Sequence, residues 1–209
     1  MAKGTNDIIL RDRLEFQVTA GDLALVWGRI NLDDYVNPLK NEGLDIKEIH
    51  VQPRTNGGSG EIVSALTNTG NFVAGSGFVP LGGSGDSWSA MKVVASTRAY
   101  QSMSDIGIGS PDVYHCETWT QQRSSVIDAA GPGTGLSISN TNSHQRYGVN
   151  DLHPSGAPIV SDLLIGVAAD NLSSYDNADV LYLDVQLVAS PTKITSKQLT
   201  EMLTQGQDL

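Results

Sequence analysis

Serine, aspartate and histidine are the elements of nucleophilic acyl transfer, and this chain carries them as Gly85-Asp86-Ser87 and Asp151-Leu152-His153-Pro154. A hydrolase of that type needs a serine hydroxyl activated by an imidazole that a carboxylate orients. A second set, His115-Cys116-Glu117, puts an imidazole and a carboxylate on one face of an extended chain and the thiol on the other. That is not the Cys-x2-Cys or His-x3-His spacing of a metal site. Structural or surface roles are therefore expected for His115 and for His50, His144 and His153. Oxygen donors gather at Asp170-Asn171 and Asp176-Asn177-Ala178-Asp179, the residue types that hold calcium on a flexible loop. Asp and Asn are equally what an ordinary turn requires, and the EF-hand pattern is absent. Asp170, Asp176 and Asp179 are thus the metal candidates, with calcium the ion they suit, and no resident cofactor is expected.

The Gly-Asp-Ser and Asp-x-His blocks resemble those of the SGNH esterases. Two observations count against the likeness. In that family the serine turn follows the first strand of a parallel α/β sheet, whereas here some 80 residues of β pattern precede it without crossover helices. The family's Asp and His are also normally three positions apart, and Asp151 and His153 are two apart. No catalytic residue is expected. The aromatics Trp27, Trp88, Trp119, Tyr100 and Tyr114 could make a sugar platform, but Trp27, Tyr100 and Trp119 fall inside strand patterns, where core packing is the common reason for a large ring. Trp88 follows a Gly-rich turn and is the candidate for an exposed binding contact.

The elements that must position these residues are short strands. Leu14, Phe16 and Val18 alternate with Arg13, Glu15, Gln17 and Thr19, while Leu181, Leu183, Val185 and Leu187 alternate with Tyr182, Asp184 and Gln186. Period-two alternation is what a half-buried antiparallel strand needs. It predicts strands over 12–20, 22–32, 45–53, 61–67, 71–80, 90–100, 112–122, 158–169 and 179–189. Gly-rich turns at 20–22, 56–60, 82–86 and 131–135 divide them. Residues 124–157, rich in Ser, Asn and Gly, read as one long excursion between strands. The expected architecture is all-β: a single-domain antiparallel β-sandwich, a jelly roll of about eight strands, with a short C-terminal α-helix. Residues 1–11 form an N-terminal extension, 12–190 the sandwich and 191–209 the capped helix. In that last segment Thr195 and Gln198 make a T-x-x-Q capping box, and Ile194 and Leu199 are spaced as a hydrophobic staple. Leu199, Met202 and Leu203 form the apolar stripe by which so short a helix must dock. Its own sandwich is the expected site, a neighbouring subunit the alternative.

Composition narrows the function. The net charge is −10 and no stretch gathers Lys and Arg, so direct nucleic-acid binding, which needs clustered cations to displace counterions, is not expected. The N-terminus lacks the apolar run of a signal peptide, and no window approaches the ~18 apolar residues of a membrane span. The single Cys116 excludes an intramolecular disulfide and is expected to pack as a small hydrophobe. With no catalytic set surviving, an assembly role leads. The stretch Asp22-Leu-Ala-Leu-Val-Trp-Gly-Arg-Ile-Asn-Leu-Asp-Asp-Tyr-Val36, with the sandwich pattern around it, resembles the single jelly-roll major capsid proteins of tailless, membrane-containing icosahedral viruses of prokaryotes. The resemblance implies an upright jelly roll in pseudo-hexameric capsomers, without catalysis. Its partners would be copies of itself and other capsid proteins, near an internal membrane, in a virion whose subunits are made in the host cytoplasm. The basic arm of genome-packing capsids is absent, which agrees with that subtype. The alternative is a carbohydrate- or receptor-binding sandwich using Trp88, the long loops and calcium, with a host-surface glycan as ligand.

Overall fold

The alternation of apolar and polar residues becomes two facing sheets in the computed structural model, which describes residues 7–17, 25–57, 61–64, 87–127, 136–170 and 180–205. The strands are β1 (Ile8–Gln17), β2 (Val26–Ile30), β3 (Glu42–Gly57), β4 (Glu61–Ser64), β5 (Ser87–Ser96), β6 (Val113–Ile127), β7 (Leu136–Tyr147), β8 (Pro158–Ile159), β9 (Leu163–Asp170) and β10 (Val180–Lys193). Among the described residues two α-helices accompany them, α1 (Val149–Leu152) and α2 (Ser196–Gln205), with short 3-10 turns at Pro38–Lys40 and Met103–Asp105. One sheet runs β1-β10-β3, with β8 and β4 both paired to β3; the other runs β2-β9-β5-β6-β7. All of these pairs are antiparallel. The chain repeatedly changes sheet: β1 to β2, β2 to β3, β4 to β5, β7 to β8, β8 to β9 and β9 to β10. With the short β4 and the edge strand β7 set aside, this is jelly-roll wiring, in which interlocked Greek keys close a sandwich.

The apolar rows meet between the sheets. Leu183, Val185, Leu187 and Ala189 of β10 are buried against Met91, Val93 and Ala95 of β5, Ile165 and Val167 of β9, and Phe16 of β1, all in one core. Each fully buried aliphatic or aromatic side chain contributes about 1.5–3 kcal/mol. A second, smaller cluster forms on the far face of the other sheet, where the segment 97–112 covers Val94, Val113 and Cys116 with Ile106. There Trp27 lies over Gly166, its register partner, whose missing Cβ makes room for the indole. The indole Nε1 donates to the Tyr100 carbonyl at 3.1 Å.

Several sequence expectations need correction. β1 starts at Ile8, inside the supposed extension, because Ile8 and Leu10 already pack on the core; the charged run Arg11-Asp12-Arg13 hides that continuity. Residues 158–169 are not one strand. β8 pairs with β3 in one sheet and β9 with β2 and β5 in the other, and the chain crosses between them at Val160–Asp162. Asp162 fastens that crossing, accepting from the Leu32 amide at 2.9 Å and pairing with Arg29. The excursion 124–157 contains the end of β6 and all of β7, paired from Cys116–Tyr147 to Ile127–Leu136. An edge strand rich in Ser and Asn lacks the apolar row that reveals a strand. β10 runs past residue 190 to Lys193, with Pro191 opposite Leu44. Tyr100 lies beyond β5 rather than in a strand. The strand expected over 71–80 lies outside the described residues, as do the Gly-rich turns except Asn56 and Gly57, which finish β3.

At the C-terminus the reciprocal cap forms. The Thr195 amide donates to Gln198 Oε1 at 3.0 Å, and the Gln198 amide donates to Thr195 Oγ1 at 3.3 Å. Ile194 is buried over Gly43, and its amide donates to the Asn41 carbonyl at 2.9 Å, so the entry to α2 is tied to its own sandwich. Leu199 and Met202 are half-buried; the side chain of Leu203 lies outside the described residues. Thr195→Ala should cost about 1 kcal/mol of helix stability, read as faster hydrogen exchange confined to α2. Ile194→Ala should cost about 2–4 kcal/mol and lower the melting temperature of the whole domain.

Candidate functional site

The Ser/Asp/His set is not brought together. Ser87 opens β5 opposite Arg123 of β6. His153 stacks on Tyr114 with centroids 4.6 Å apart, and its Nε2 bonds the Val113 carbonyl at 2.8 Å, so that nitrogen carries the hydrogen. From Val113 to Arg123 is ten residues of strand, about 30 Å at ~3.3 Å per residue. Asp151 instead accepts from the Gly148 amide at 2.8 Å and caps α1. Both members of the Asp-x-His turn are thus engaged in holding that turn to the sandwich.

Of the other candidates, Trp88 lies in β5 opposite Gln122, with its side chain outside the described residues. Asp170 ends β9 opposite Ala90, while Asp176 and Asp179 lie outside the described residues. Cys116 is buried, as a packed hydrophobe should be, and burial pushes its thiol up from the ordinary range. Trp119 is in the main core and Trp27 is half-buried in the smaller cluster.

The chemistry that the structure does assemble surrounds Glu117. On β6, His115, Glu117 and Trp119 lie opposite Ala95, Val93 and Met91 and point between the sheets. His115 is fully buried and the Glu117 side chain is 6% exposed. The Glu117 carboxylate bridges two histidines: Oε2 meets His115 Nε2 at 3.0 Å, and Oε1 meets Nε2 of His144 on β7. His144 stacks on Trp119 with centroids 5.0 Å apart and planes 7° from parallel. Arg146, the register partner of Glu117, reaches across to the other sheet. Its Nη2 donates to the Ile49 carbonyl at 2.9 Å and to His50 Nδ1 at 3.2 Å. Arginine only donates, so His50 accepts at Nδ1 and donates from Nε2 to Glu48 at 2.9 Å. Beside this crossing lies an open cavity of about 350 Å³ lined by Lys47, Glu48, His50, Arg146, Asn150 and Asp151.

Hydrogen bonding decides the proton positions inside the cluster. His115 Nδ1 is buried without a partner. A hydrogen on Nε2, given to Glu117, leaves only a lone pair at Nδ1, which costs less than an orphaned N–H. Nε2 of His144, whose side chain is half exposed, likewise donates to the carboxylate, which can only accept. The two imidazole nitrogens bond opposite oxygens of the carboxylate and do not converge. Accordingly, among the described residues no group of three or more His, Cys, Asp or Glu side chains is arranged to hold a metal ion. The cluster is a polar rivet between β6 and β7, with Arg146 fastening the pair to β3. That His115 and Glu117 share a face is legible in sequence. His144 is visible in sequence only as a lone histidine and Arg146 not at all, because beyond Leu136 and Ile138 their strand shows no apolar alternation.

No protein-family model matches this chain, and no curated protein matches it in sequence.

Glu117→Ala leaves two histidines without their acceptor, one of them fully buried, and should cost about 3 kcal/mol in urea unfolding. Glu117→Gln keeps the shape and one accepting oxygen for the buried His115 but sets an N–H against the other imidazole, so it should recover only part of that. A different reading comes from Tyr114, whose phenol burial and the nearby Asp112 charge push up to about 12. The raised value means that the folded state holds the proton more tightly. The associated stability is complete below pH ~10 and is lost as pH rises toward ~12, about 3 kcal/mol in all. The difference between the parent chain and Tyr114→Phe in unfolding free energy should therefore shrink across that interval.

Proposed function

We propose that this chain is a structural virion protein, a capsid subunit that self-assembles into capsomers of an icosahedral shell. The observation that carries the reading is the jelly-roll wiring of the two sheets, an architecture that recurs in viral capsids. The surface adds support. Register places the end of β2, the start of β9, the end of β5 and the start of β6 at one end of the sandwich. The connections leaving that end expose Tyr35, Leu39 and Ile108, with Leu39 at 98% and Ile108 at 61%. The end of β10 and the start of α2 lie beside the same β2–β3 connection, through the Ile194–Asn41 hydrogen bond. Apolar side chains grouped on one end of an acidic domain suit contact with further copies or with other capsid proteins. In this reading the subunit is made in the host cytoplasm and ends in the virion, close to an internal membrane but not inserted in it. Among the described residues, no helix is long and apolar enough to cross a membrane.

Mass photometry of the purified protein tests this. Capsomer-sized or larger closed assemblies are expected at micromolar protein. Leu39→Asp combined with Ile108→Asp should reduce them to subunits without lowering the melting temperature, since both side chains are exposed. A monomer at every concentration and salt condition would sink the proposal. So would assemblies indifferent to both substitutions together with deletion of residues 194–209.

A further inference from the structure

We infer that the outward face of the β1-β10-β3 sheet is a binding site for a carboxylated sugar. In register, Arg13 of β1, Asp184 of β10 and Gln52 of β3 form one row, and Arg11, Gln186 and His50 form the row beside it. Between these rows lie Asp12, Val185 and Val51, of opposite parity, so their backbones floor a trough across three strands. The same nine residues line a cavity of about 520 Å³, within the range of small-molecule sites. With strands ~4.8 Å apart and alternate residues ~6.6 Å apart, the trough measures about 10 by 7 Å, the footprint of one or two sugar rings.

The lining chemistry sets the ligand class. Arg13 is held by a forked contact to Asp184, Nε to Oδ1 at 2.6 Å and Nη2 to Oδ2 at 3.2 Å, which fixes both side chains as a wall. His50 is fixed from both sides, by Glu48 and by Arg146. Such planar groups, with the amide of Gln186, offer paired donors and acceptors of the kind that sugar hydroxyls match. Arg11 differs from Arg13. It has no ion-pair partner among the described residues, although it is exposed at the rim of the trough. A guanidinium left over beside a polar floor calls for a carboxylate on the ligand, held bidentately. The inference is independent of assembly, since the face lies away from the end that carries Leu39 and Ile108.

Saturation-transfer NMR on the intact protein suits either a monomer or a particle. Glucuronate is the probe, with glucose, acetate and inorganic phosphate as comparisons. Saturable transfer to the ring protons of glucuronate is expected, with glucose at least about tenfold weaker. Arg11→Gln should bring glucuronate down to the level of glucose, and Gln186→Ala should weaken both sugars. Both substituted residues are at the surface, and unchanged melting will show that the variants fold. No transfer to glucuronate at about 50 mM would overturn the inference. Displacement of glucuronate by acetate or phosphate at equal concentration would overturn it too, by reducing the site to a simple anion patch. Transfer that survives Arg11→Gln unchanged would place the sugar elsewhere and also refute it.

Discussion

Everything in this fold depends on β10 being seated between β1 and β3. It is the last strand in sequence and the middle one of its three, paired with β1 from Val180 to Ala189 and with β3 from Leu181 to Lys193. Remove it and neither β1 nor β3 has a neighbour on that side, while Leu183, Val185 and Leu187 leave the centre of the core. The Arg13–Asp184 contact joins residues 171 apart in sequence, so loop closure must occur before these apolar rows contribute. A sandwich dominated by such pairings belongs among the slow folders. Opposite the Val188–Ala189 step β3 carries one extra residue, Lys47, between the partners Ile46 and Glu48, and such a bulge bends β3 at that point.

Polar groups inside the sandwich serve a different purpose from the apolar rows. A carboxylate between two imidazoles adds little net stability against a well-packed hydrocarbon of equal size, because desolvation opposes the attraction. What it adds is register. A slip of β7 by one residue would turn His144 and Arg146 to the wrong face, leaving Glu117 and the Ile49 carbonyl unanswered. Edge strands with few apolar residues are prone to slippage. The hydrogen-bonded and aromatic contacts at Glu117, His144 and Trp119 give β7 the specificity that its composition does not.

The sandwich itself was legible in the residues because burial on one face leaves a period-two trace. β3, β5, β6, β9 and β10 all overlap segments where that trace is clear, and the T-x-x-Q box announced α2 by its own chemistry. The trace fails where its cause is missing. None of the described side chains of β7, Thr141 and Ser143 to Tyr147, is buried; β1 carries Asp12 on the parity that elsewhere holds Leu10 and Leu14; and the crossing at Val160–Asp162 is apolar up to the point where the chain changes sheets. Sites follow the same rule. The Asp-x-His turn looked chemical in one dimension, yet about 30 Å of strand separates it from Ser87. The Glu117 cluster and the trough around Arg11 and Gln186 arise from register between strands distant in sequence. No local motif records such a juxtaposition.

The seating of β10 also sets the order of events on the ribosome. β1 is complete once Gln17 has been made, yet the strand that covers it ends at Lys193. At ~5–20 residues per second, that interval lasts about 10–35 seconds. Throughout it the apolar rows of β1 and β3 have no partner from β10, and crowded nascent chains present the same unpaired edges to one another. A protein needed in many copies in one cell would meet this hazard at its worst. Charges along the first strand, Arg11, Asp12, Arg13 and Glu15, interrupt it and so discourage nascent chains from pairing before their own last strand arrives.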